Sequence, residues 1–285
     1  MSIAYQIGQL RNRGEVVRHL PVYLVRGLQY VWIATVPKKS VLPLKFGPAR
    51  FRVNIRPAGQ GAGTRAMFLF RERYEPLLTH GHRLMRAGDV AMDVGANQGL
   101  FTAAFGSIAS KVVAVEPIPW QADRVRANIA LNQYKDAHVF EGAVSNKEGE
   151  TTLRFGSQES TSSIVWQHKH GREIQVKTTT LDKLIDIFAL NRVDFIKLDI
   201  EGAEEIALEG GKRMLSEMKP VLCLEASDMP VFERISKYLA GFGYARFKFD
   251  RHGMLHKVGE LTESVDNIFF LTDAHQKRFA ETIAR

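Results

Sequence analysis

Short apolar runs alternate with amphipathic stretches from residue 90 onward. The runs have the length of strands, and the stretches between them repeat apolar residues every three or four positions, as helices do. The predicted strands are 90–94, 112–116, 137–140, 195–200 and 221–225, with two closing strands near 243–249 and 267–272. The predicted helices are 100–109, 121–131, 181–189, 204–214 and 230–240. This alternation predicts an α/β fold, a mostly parallel sheet with helices on both faces.

Two regions depart from this alternation. Residues 151–180 form two polar strand-like pieces around a Ser/Thr-rich loop. Residues 1–57 mix basic, apolar and aromatic positions without a clean period, apart from the alternating segment 51–56, which predicts a strand. A glycine-rich loop follows, and then a helical pattern over 66–86. We therefore predict an accessory N-terminal arm, 1–57, with helical and strand segments, and a main domain, 58–285.

The positive charge of the chain is concentrated in this arm. Residues 1–57 contain ten Lys and Arg and one acid, which gives +9, so the other 228 residues sum to −1 within a net charge of +8. A nearly neutral main domain argues against a nucleic-acid groove across it. Two interpretations of the arm stay open: peripheral contact with an anionic membrane, or packing of its apolar residues on the main domain or on a second copy in a homo-oligomer.

The sequence also bears on the compartment. The most apolar early segment, Val22 to Val36, contains Arg26 and is too short to cross a bilayer, and no secretory signal stands at the N-terminus. The single cysteine, Cys223, excludes a disulfide framework and suits a reducing compartment. We expect a cytoplasmic protein, which lies at the inner membrane surface if the arm contacts lipid.

A glycine loop, DVGANQG at 93–99, joins the first regular strand to the next helix. Gly95 permits a tight turn, and Gly99 permits a ligand to approach the backbone. The next strand ends in Glu116, 21 positions after Gly95. A carboxylate at that place can accept hydrogen bonds from both ribose hydroxyls of an adenosine.

The spacing of the loop distinguishes between adenosine cofactors. It is G-x-x-x-G with Asn97 inside, whereas a dinucleotide fingerprint is G-x-G-x-x-G and places a pyrophosphate on a helix N-terminus. Asp93 and the amides around Asn97 can bind the ammonium and carboxylate of a sulfonium amino acid. The loop therefore favours S-adenosylmethionine over a nicotinamide cofactor.

A second acidic cluster lies in the predicted strand 195–200. Period-two geometry would put Lys197, Asp199 and Glu201 on one face of the strand. Unpaired charge in a buried strand is costly, and such a conflict with the local rule tends to mark a functional site. In methyl transfer to an alcohol, Glu201 is the candidate base, Asp199 would hold the methionyl ammonium or the acceptor, and Lys197 would orient both carboxylates or lower their pKa.

Two alternatives apply to this cluster. Lys197 and Asp199 could form a structural ion pair while Glu201 caps the next helix. Asp199 with Glu201 could also hold a magnesium ion, although we predict no metal site.

The residues together resemble the FkbM family of methyltransferases over roughly 43–272. The matching segments are Tyr74-Glu75-Pro76, Asp93–Gly99, Val115-Glu116-Pro117, Gly142-Ala143-Val144-Ser145, Ile196–Glu204 and Leu224-Glu225. The resemblance implies a Rossmann-like class I sheet of seven strands in the order 3-2-1-4-5-7-6, with the last strand antiparallel. It also implies O-methylation, commonly of a sugar or another natural-product hydroxyl.

The resemblance further implies roles for particular residues. Gly95, Asn97 and Gly99 would line the methionyl part of the cofactor, and Glu116 would hold its ribose. The segment with Glu141, Ala143 and Val144 would border the adenine, and Asp199 and Glu201 would face the reaction centre. Glu75 would lie near the cofactor on a covering helix. The resemblance says nothing of the arm before residue 43.

The leading hypothesis is therefore an O-methyltransferase acting on a hydroxyl of a sugar, glycan or other small molecule. A nucleic-acid methyltransferase that uses the basic arm is the first alternative, and the neutral main domain argues against it. A non-catalytic cofactor-binding module is disfavoured by the set Lys197, Asp199 and Glu201. A nicotinamide oxidoreductase is disfavoured by the glycine spacing.

Overall fold

The computed structural model describes residues 15–35, 41–54, 76–155, 162–163, 172–226, 228–259, 261 and 265–284. The strands are β1 Val41–Phe46, β2 Ala49–Asn54, β3 Val90–Val94, β4 Lys111–Glu116, β5 Ala137–Glu141, β6 Ala143–Val144, β7 Gly149–Phe155, β8 Ser162–Ser163, β9 Arg172–Thr179, β10 Phe195–Leu198, β11 Val221–Ala226, β12 Ala245–Phe249, β13 Leu255–Lys257 and β14 Val265–Leu271. The α-helices are α1 Glu15–Thr35, α2 Pro76–His80, α3 Leu100–Gly106, α4 Pro119–Asn132, α5 Leu181–Ile187, α6 Glu204–Glu209, α7 Met229–Ala240 and α8 Asp273–Arg278.

The main sheet has eight strands in the order β13-β12-β14-β11-β10-β3-β4-β5. The five strands from β11 to β5 are parallel, and β14 runs antiparallel to β11. Without β13, this is the implied order 3-2-1-4-5-7-6 with its antiparallel strand. The short edge strand β13 makes eight strands where seven were expected. The Rossmann-like α/β class is confirmed.

Burial explains why the central strands read as continuous apolar runs. Every residue of β3 and of β10 is buried, because helices cover both faces of a parallel sheet. One apolar cluster includes Ile196 and Leu222, and a second includes their sequence neighbours Phe195 and Val221. The two clusters are the opposite faces of the sheet, as the period of two requires.

The strand β10 ends two residues earlier than its sequence predicts. Its ladder with β3 closes at the pair Leu198–Val94, after which Gly95 (φ +83°) leads the neighbouring chain toward β4. With that partner gone the chain turns, and Glu201 takes a left-handed conformation with φ +53°. The expectation that Lys197, Asp199 and Glu201 share one strand face is therefore wrong for Glu201.

The helix after this turn is also shorter than expected. The helix α6 ends at Glu209, and a π-helical turn over Met214–Met218 follows Gly210 and Gly211. A Cβ atom at Gly210 would overlap the carbonyl oxygen of Ser145, so the chain needs glycine at this close approach. This is why one predicted helix, 204–214, becomes two pieces.

A second sheet of four strands, β6-β9-β7-β8, continues from the end of β5. The long strands β7 and β9 are the two polar strand-like pieces of the sequence, and they pair antiparallel. Leu153 and Val176 face inward and join Ile118 and Ala143 in a small apolar cluster. The second sheet therefore packs on Ile118, just after the end of β4, on the side of the molecule where the glycine loop also lies.

The N-terminal hairpin β1–β2 packs on α3 and α4. Its inward side chains form one cluster with Leu78, Ala103 and Ala104. The backbone N–H groups of Arg52 and Asn54 donate to the side-chain oxygens of Asn132 and Asn128, at 2.7 and 2.8 Å. A domain boundary at residue 57 stays a prediction, because the connecting residues 55–75 lie outside the described ranges.

Ion pairs and hydrogen bonds link the chain at the amino ends of β3 and β10. The buried Asp89 carboxylate accepts two hydrogen bonds from Arg278, at 2.6 and 2.8 Å. Asp194 accepts from the N–H of Val90 at 2.9 Å, which ties the starts of the two strands together. The carboxyl ends of the strands are thus the edge left for a ligand.

Candidate active site

A cleft opens at the carboxyl ends of β3, β4 and β10. Its empty space, counted together with the open solvent at its mouth, is about 640 Å³. The lining residues are Val94, Gly95, Asn97, Val115, Glu116, Pro117, Gln121, Gly142, Ala143, Val144, Leu153, Asp199, Ile200, Glu201 and Ala203. The cleft is therefore lined by both polar and apolar side chains.

The glycine loop forms the floor of this cleft. The N–H groups of Gly95 and Ala96 both donate to the carbonyl of Val115, at 3.0 Å, which fixes the loop over the end of β4. A Cβ atom at Gly95 would overlap the carbonyl oxygen of Asp199. Glycine is thus required at this position for two reasons, its positive φ and the close approach of the Asp199 backbone.

We predict that Gly95→Ala destabilises the chain by about 2 kcal/mol or more beyond the cost of Gly88→Ala. Gly88 is the matched control, because its φ is +96° and a Cβ atom there meets nothing within 4 Å. The difference between the variants therefore isolates the overlap with the Asp199 carbonyl. Denaturant unfolding of both variants measures it, and equal losses would contradict the described loop geometry.

Glu116 ends β4 inside the cleft and is 3% exposed. Its Oε2 accepts from the N–H of Asn97 at 2.7 Å, and its Oε1 accepts from the N–H of Ile118 at 2.9 Å. Burial raises the pKa of Glu116 to about 8 against the effect of these two hydrogen bonds. Each oxygen keeps a lone pair for a further donor, such as a ribose hydroxyl.

Three charged groups stand together at the ends of β3 and β10. Asp93 is fully buried, and its Oδ2 accepts from the hydroxyl of Thr102 at 2.5 Å. Lys197, 3% exposed, donates to Oδ2 of Asp199 at 2.8 Å and lies 4.6 Å above the centre of the Phe101 ring. Burial raises the pKa of Asp93, and the positive charge of Lys197 opposes that shift.

This cluster includes one orphaned atom. No hydrogen-bond partner in the described part of the chain reaches the buried Oδ1 of Asp93. The Lys197–Asp199 pair is present, as the structural alternative required, but Asp199 also lines the cleft. An ion pair and a role at the site are therefore compatible for Asp199.

Glu201 lines the cleft from the turn after β10. Burial raises the pKa of Glu201 to about 7, and the negative charges of Asp199 and Glu204 add to this effect. The N-cap residue of α6 is Ala203 rather than Glu201, and the carboxylate that accepts from the N–H of Ile200, at 2.9 Å, belongs to Glu204.

The remaining predicted positions are distributed as follows. Ala143 and Val144 line the cleft, whereas Gly99 begins α3 and faces Val125 of α4. The Glu141 carboxylate extends to Arg126, at 2.8 Å, on the exterior. Glu75 lies outside the described residues. The roles given to these residues in cofactor binding stay predictions.

Several residues that line the cleft were not predicted from the sequence. Gln121 is the main one, since it is 2% exposed and brings a side-chain amide to the lining from the first turn of α4. Its position, five residues after Glu116, was a usable signal. Leu153 comes from the second sheet, and no local pattern indicates that it reaches the cleft.

Comparisons with known proteins identify the family of the chain. The family model described as the methyltransferase FkbM domain matches residues 93–246, more than half of the chain. The chain belongs to the FkbM methyltransferase family. It is accordingly an S-adenosylmethionine-dependent methyltransferase, and the matched segment runs from Asp93, in the glycine loop, to Arg246 in β12.

Relatives of this FkbM methyltransferase include one curated protein and solved structures. It is 26% identical to the 2-O-methyltransferase NoeI of Sinorhizobium fredii (strain NBRC 101917 / NGR234) over 168 residues, which are 53% of this chain and 68% of NoeI. The crystal structure of methyltransferase FkbM from Methylobacillus flagellatus KT is 17% identical at a TM-score of 0.44, and the match covers 90% of this chain and 60% of that one. TYW2 of M. jannaschii, solved in complex with AdoMet, is 14% identical at a TM-score of 0.42 over 82% of this chain and 86% of its own.

The residues present fit S-adenosylmethionine. Glu116 offers two carboxyl oxygens to ribose hydroxyls, and the backbone of Gly95 lines the cleft beside it. The apolar walls formed by Ala143, Val144 and Leu153 suit a flat adenine ring. These features are compatible with the cofactor, and the contacts of individual residues with it stay predictions.

Proposed function

We propose that this FkbM methyltransferase methylates a hydroxyl group of a sugar, a glycan or another small molecule. The observation that carries the proposal is the Glu201 carboxylate, which lines the cleft with its pKa raised to about 7. A general base works best when its pKa lies near the working pH. Such a base suits an acceptor whose proton must be removed, as that of an alcohol must.

We assign the cofactor-binding roles within the proposal to residues at three strand ends. Glu116 binds the ribose hydroxyls, and Gly95 and Asn97 contact the methionyl part. Ala143 and Val144 border the adenine. S-adenosylmethionine supplies a methyl group on a positively charged sulfur, and the carboxylate of Asp199 faces the ammonium of its methionyl part or the acceptor. Lys197 holds Asp199 through the 2.8 Å hydrogen bond, so that its orientation is fixed before binding.

Glu201 then acts on the acceptor. In the proposed geometry one of its oxygens would accept the hydroxyl proton of the acceptor, whose oxygen would take the methyl group that the cofactor supplies. The left-handed turn at Glu201 brings this carboxylate to the lining from outside the strand ladder. Positioning and proton removal are the two contributions that the residues supply.

The charge distribution supports a small acceptor over a nucleic acid. The main domain is nearly neutral, since the charge of +9 lies within residues 1–57 and the rest sums to −1. A nucleic acid would need cations along its phosphate backbone. The name of NoeI, a 2-O-methyltransferase, supports oxygen as the methylated atom.

We predict that transfer of a labelled methyl group will be detected with sugar or lipid-linked glycan acceptors and not with RNA or DNA. A panel of nucleotide sugars, oligosaccharides, lipid-linked glycans, transfer RNA and duplex DNA tests this. The product linkage, read by mass spectrometry after hydrolysis, should be a methyl ether. Methylation of a base nitrogen would contradict the proposal.

A further inference from the structure

The helix α1 has two different faces. Tyr23 is 9% exposed, and Tyr30, seven residues later, packs on the apolar cluster of the hairpin β1–β2. Residues seven apart lie on the same side of an α-helix. One side of α1 therefore rests on the body of the protein.

The other side of α1 is an exposed apolar stripe. The side chains of Leu24, Val25, Leu28, Val31 and Trp32 are between 53% and 73% exposed. At about 100° per residue these positions fall within an arc of about 120°, opposite Tyr23 and Tyr30. The two-sided distribution also explains why the sequence shows no clean amphipathic period there.

The hairpin on which α1 packs has a basic outer face. The outward positions of the hairpin include Lys45, Arg50 and Arg52, all exposed, and no acid. Within residues 1–57 only one acid accompanies ten Lys and Arg. A surface that combines aliphatic and aromatic residues with surplus positive charge is complementary to anionic lipid.

We propose that α1 and the hairpin β1–β2 form a peripheral docking surface for an anionic membrane. Leu24, Val25 and Leu28 enter the boundary between headgroups and acyl chains, while the basic residues of the arm contact the lipid phosphates. None of the helices in the described ranges has both the length and the apolarity to cross a bilayer. The proposal concerns docking only, and it is independent of the acceptor assigned above.

The test is co-sedimentation of the full-length chain with vesicles of phosphatidylcholine alone or of equimolar phosphatidylcholine and phosphatidylglycerol. The chain should pellet with the anionic vesicles at about 0.1 M salt and be released near 1 M, because the Debye length falls from about 10 Å to about 3 Å. A chain that stays in the supernatant with anionic vesicles at low salt overturns the proposal.

Two sets of variants test the stripe and the basic residues of the hairpin. Leu24→Glu with Leu28→Glu should weaken anionic-vesicle binding about tenfold or more, whereas Ile187→Glu, at a residue 46% exposed on α5, should leave it unchanged. Lys45→Glu with Arg50→Glu should weaken binding more than Lys237→Glu with Lys248→Glu, which changes the net charge equally at exposed sites.

The alternative occupant of the stripe is a second copy of this chain. Light scattering of wild type and of Leu24→Glu with Leu28→Glu distinguishes the two cases. The membrane proposal predicts the same mass for both. A dimer that the substitutions convert to a monomer, or equal loss of vesicle binding in stripe and control variants that remain folded by circular dichroism, would overturn it.

Discussion

Glu201→Gln is expected to lower kcat by about 10²–10⁴-fold while changing the affinity for S-adenosylmethionine less than about twofold. The substitution keeps the shape of the side chain and removes its ability to take the acceptor proton. Glu201 lines the cleft from a turn and is separate from the proposed cofactor-binding positions at the ends of β3 and β4. Steady-state kinetics with an identified acceptor and calorimetry of the cofactor measure the two effects separately.

The dependence of kcat/KM on pH should follow the ionisation of Glu201. The pKa of Glu201 is raised to about 7, so the carboxylate that accepts a proton is lost as the pH falls below that value. We expect kcat/KM of the wild type to rise with pH up to about 7 and then level off. The Glu201→Gln variant should lack that rise, because it has no group to ionise there.

Glu205→Gln is the matched control for this experiment. Glu205 lies four residues after Glu201, but its carboxylate is bound to Arg234, at 2.8 and 2.9 Å, outside the cleft. Its kcat should stay within about twofold of wild type, in the ordinary range for a surface change. If Glu201→Gln turns over as fast as this control, then Glu201 is not the base, and Asp199 becomes the group to test.

Glu116→Ala is expected to weaken S-adenosylmethionine binding by about 10- to 150-fold, which corresponds to about 1.5–3 kcal/mol for the loss of two hydrogen bonds from the ribose hydroxyls. The loss of fold stability should be small. The side chain gives up its hydrogen bonds to the N–H groups of Asn97 and Ile118, but removing it also removes the cost of burying a carboxylate whose pKa is raised to about 8. Calorimetry and thermal unfolding of the purified variant test both statements.

Glu205→Ala controls for this substitution, since the Glu205 carboxylate binds Arg234 outside the cleft. Its affinity for the cofactor should change by less than about twofold. In the same calorimeter, NADH should give no saturable binding. Unchanged cofactor affinity in Glu116→Ala would contradict the assignment of the ribose to this carboxylate.

Much of the fold could be predicted because its signals are local. A buried parallel strand must be apolar on both faces, so β3, β4 and β11 were visible as runs in the sequence. A sharp turn into a helix needs glycine, so Gly95 was visible too. Glu116 followed from the rule that ligands bind at the carboxyl ends of the strands.

The helix α1 shows the limit of local signals. Its apolar residues lie on two sides: Tyr23 is buried and Tyr30 packs on the hairpin, whereas Leu24 and Leu28 are exposed, so no single period emerges. Which side faces the protein depends on the hairpin, a separate segment of chain. No inspection of residues 15–35 alone could have decided it.

The sequence by itself determined which residue types meet at the cleft: the glycine loop, the acid ending β4 and the charged run after β10. The tertiary structure decided their geometry. Strand β10 ends at Leu198 because its neighbour β3 turns away at Gly95, and this sends Glu201 into a left-handed turn. The raised pKa of Glu201 likewise comes from burial and from the charges of Asp199 and Glu204, which only the folded chain brings near. Residue types can be read from the sequence, but the burial of Glu201 and the end of β10 depend on residues that are distant along the chain.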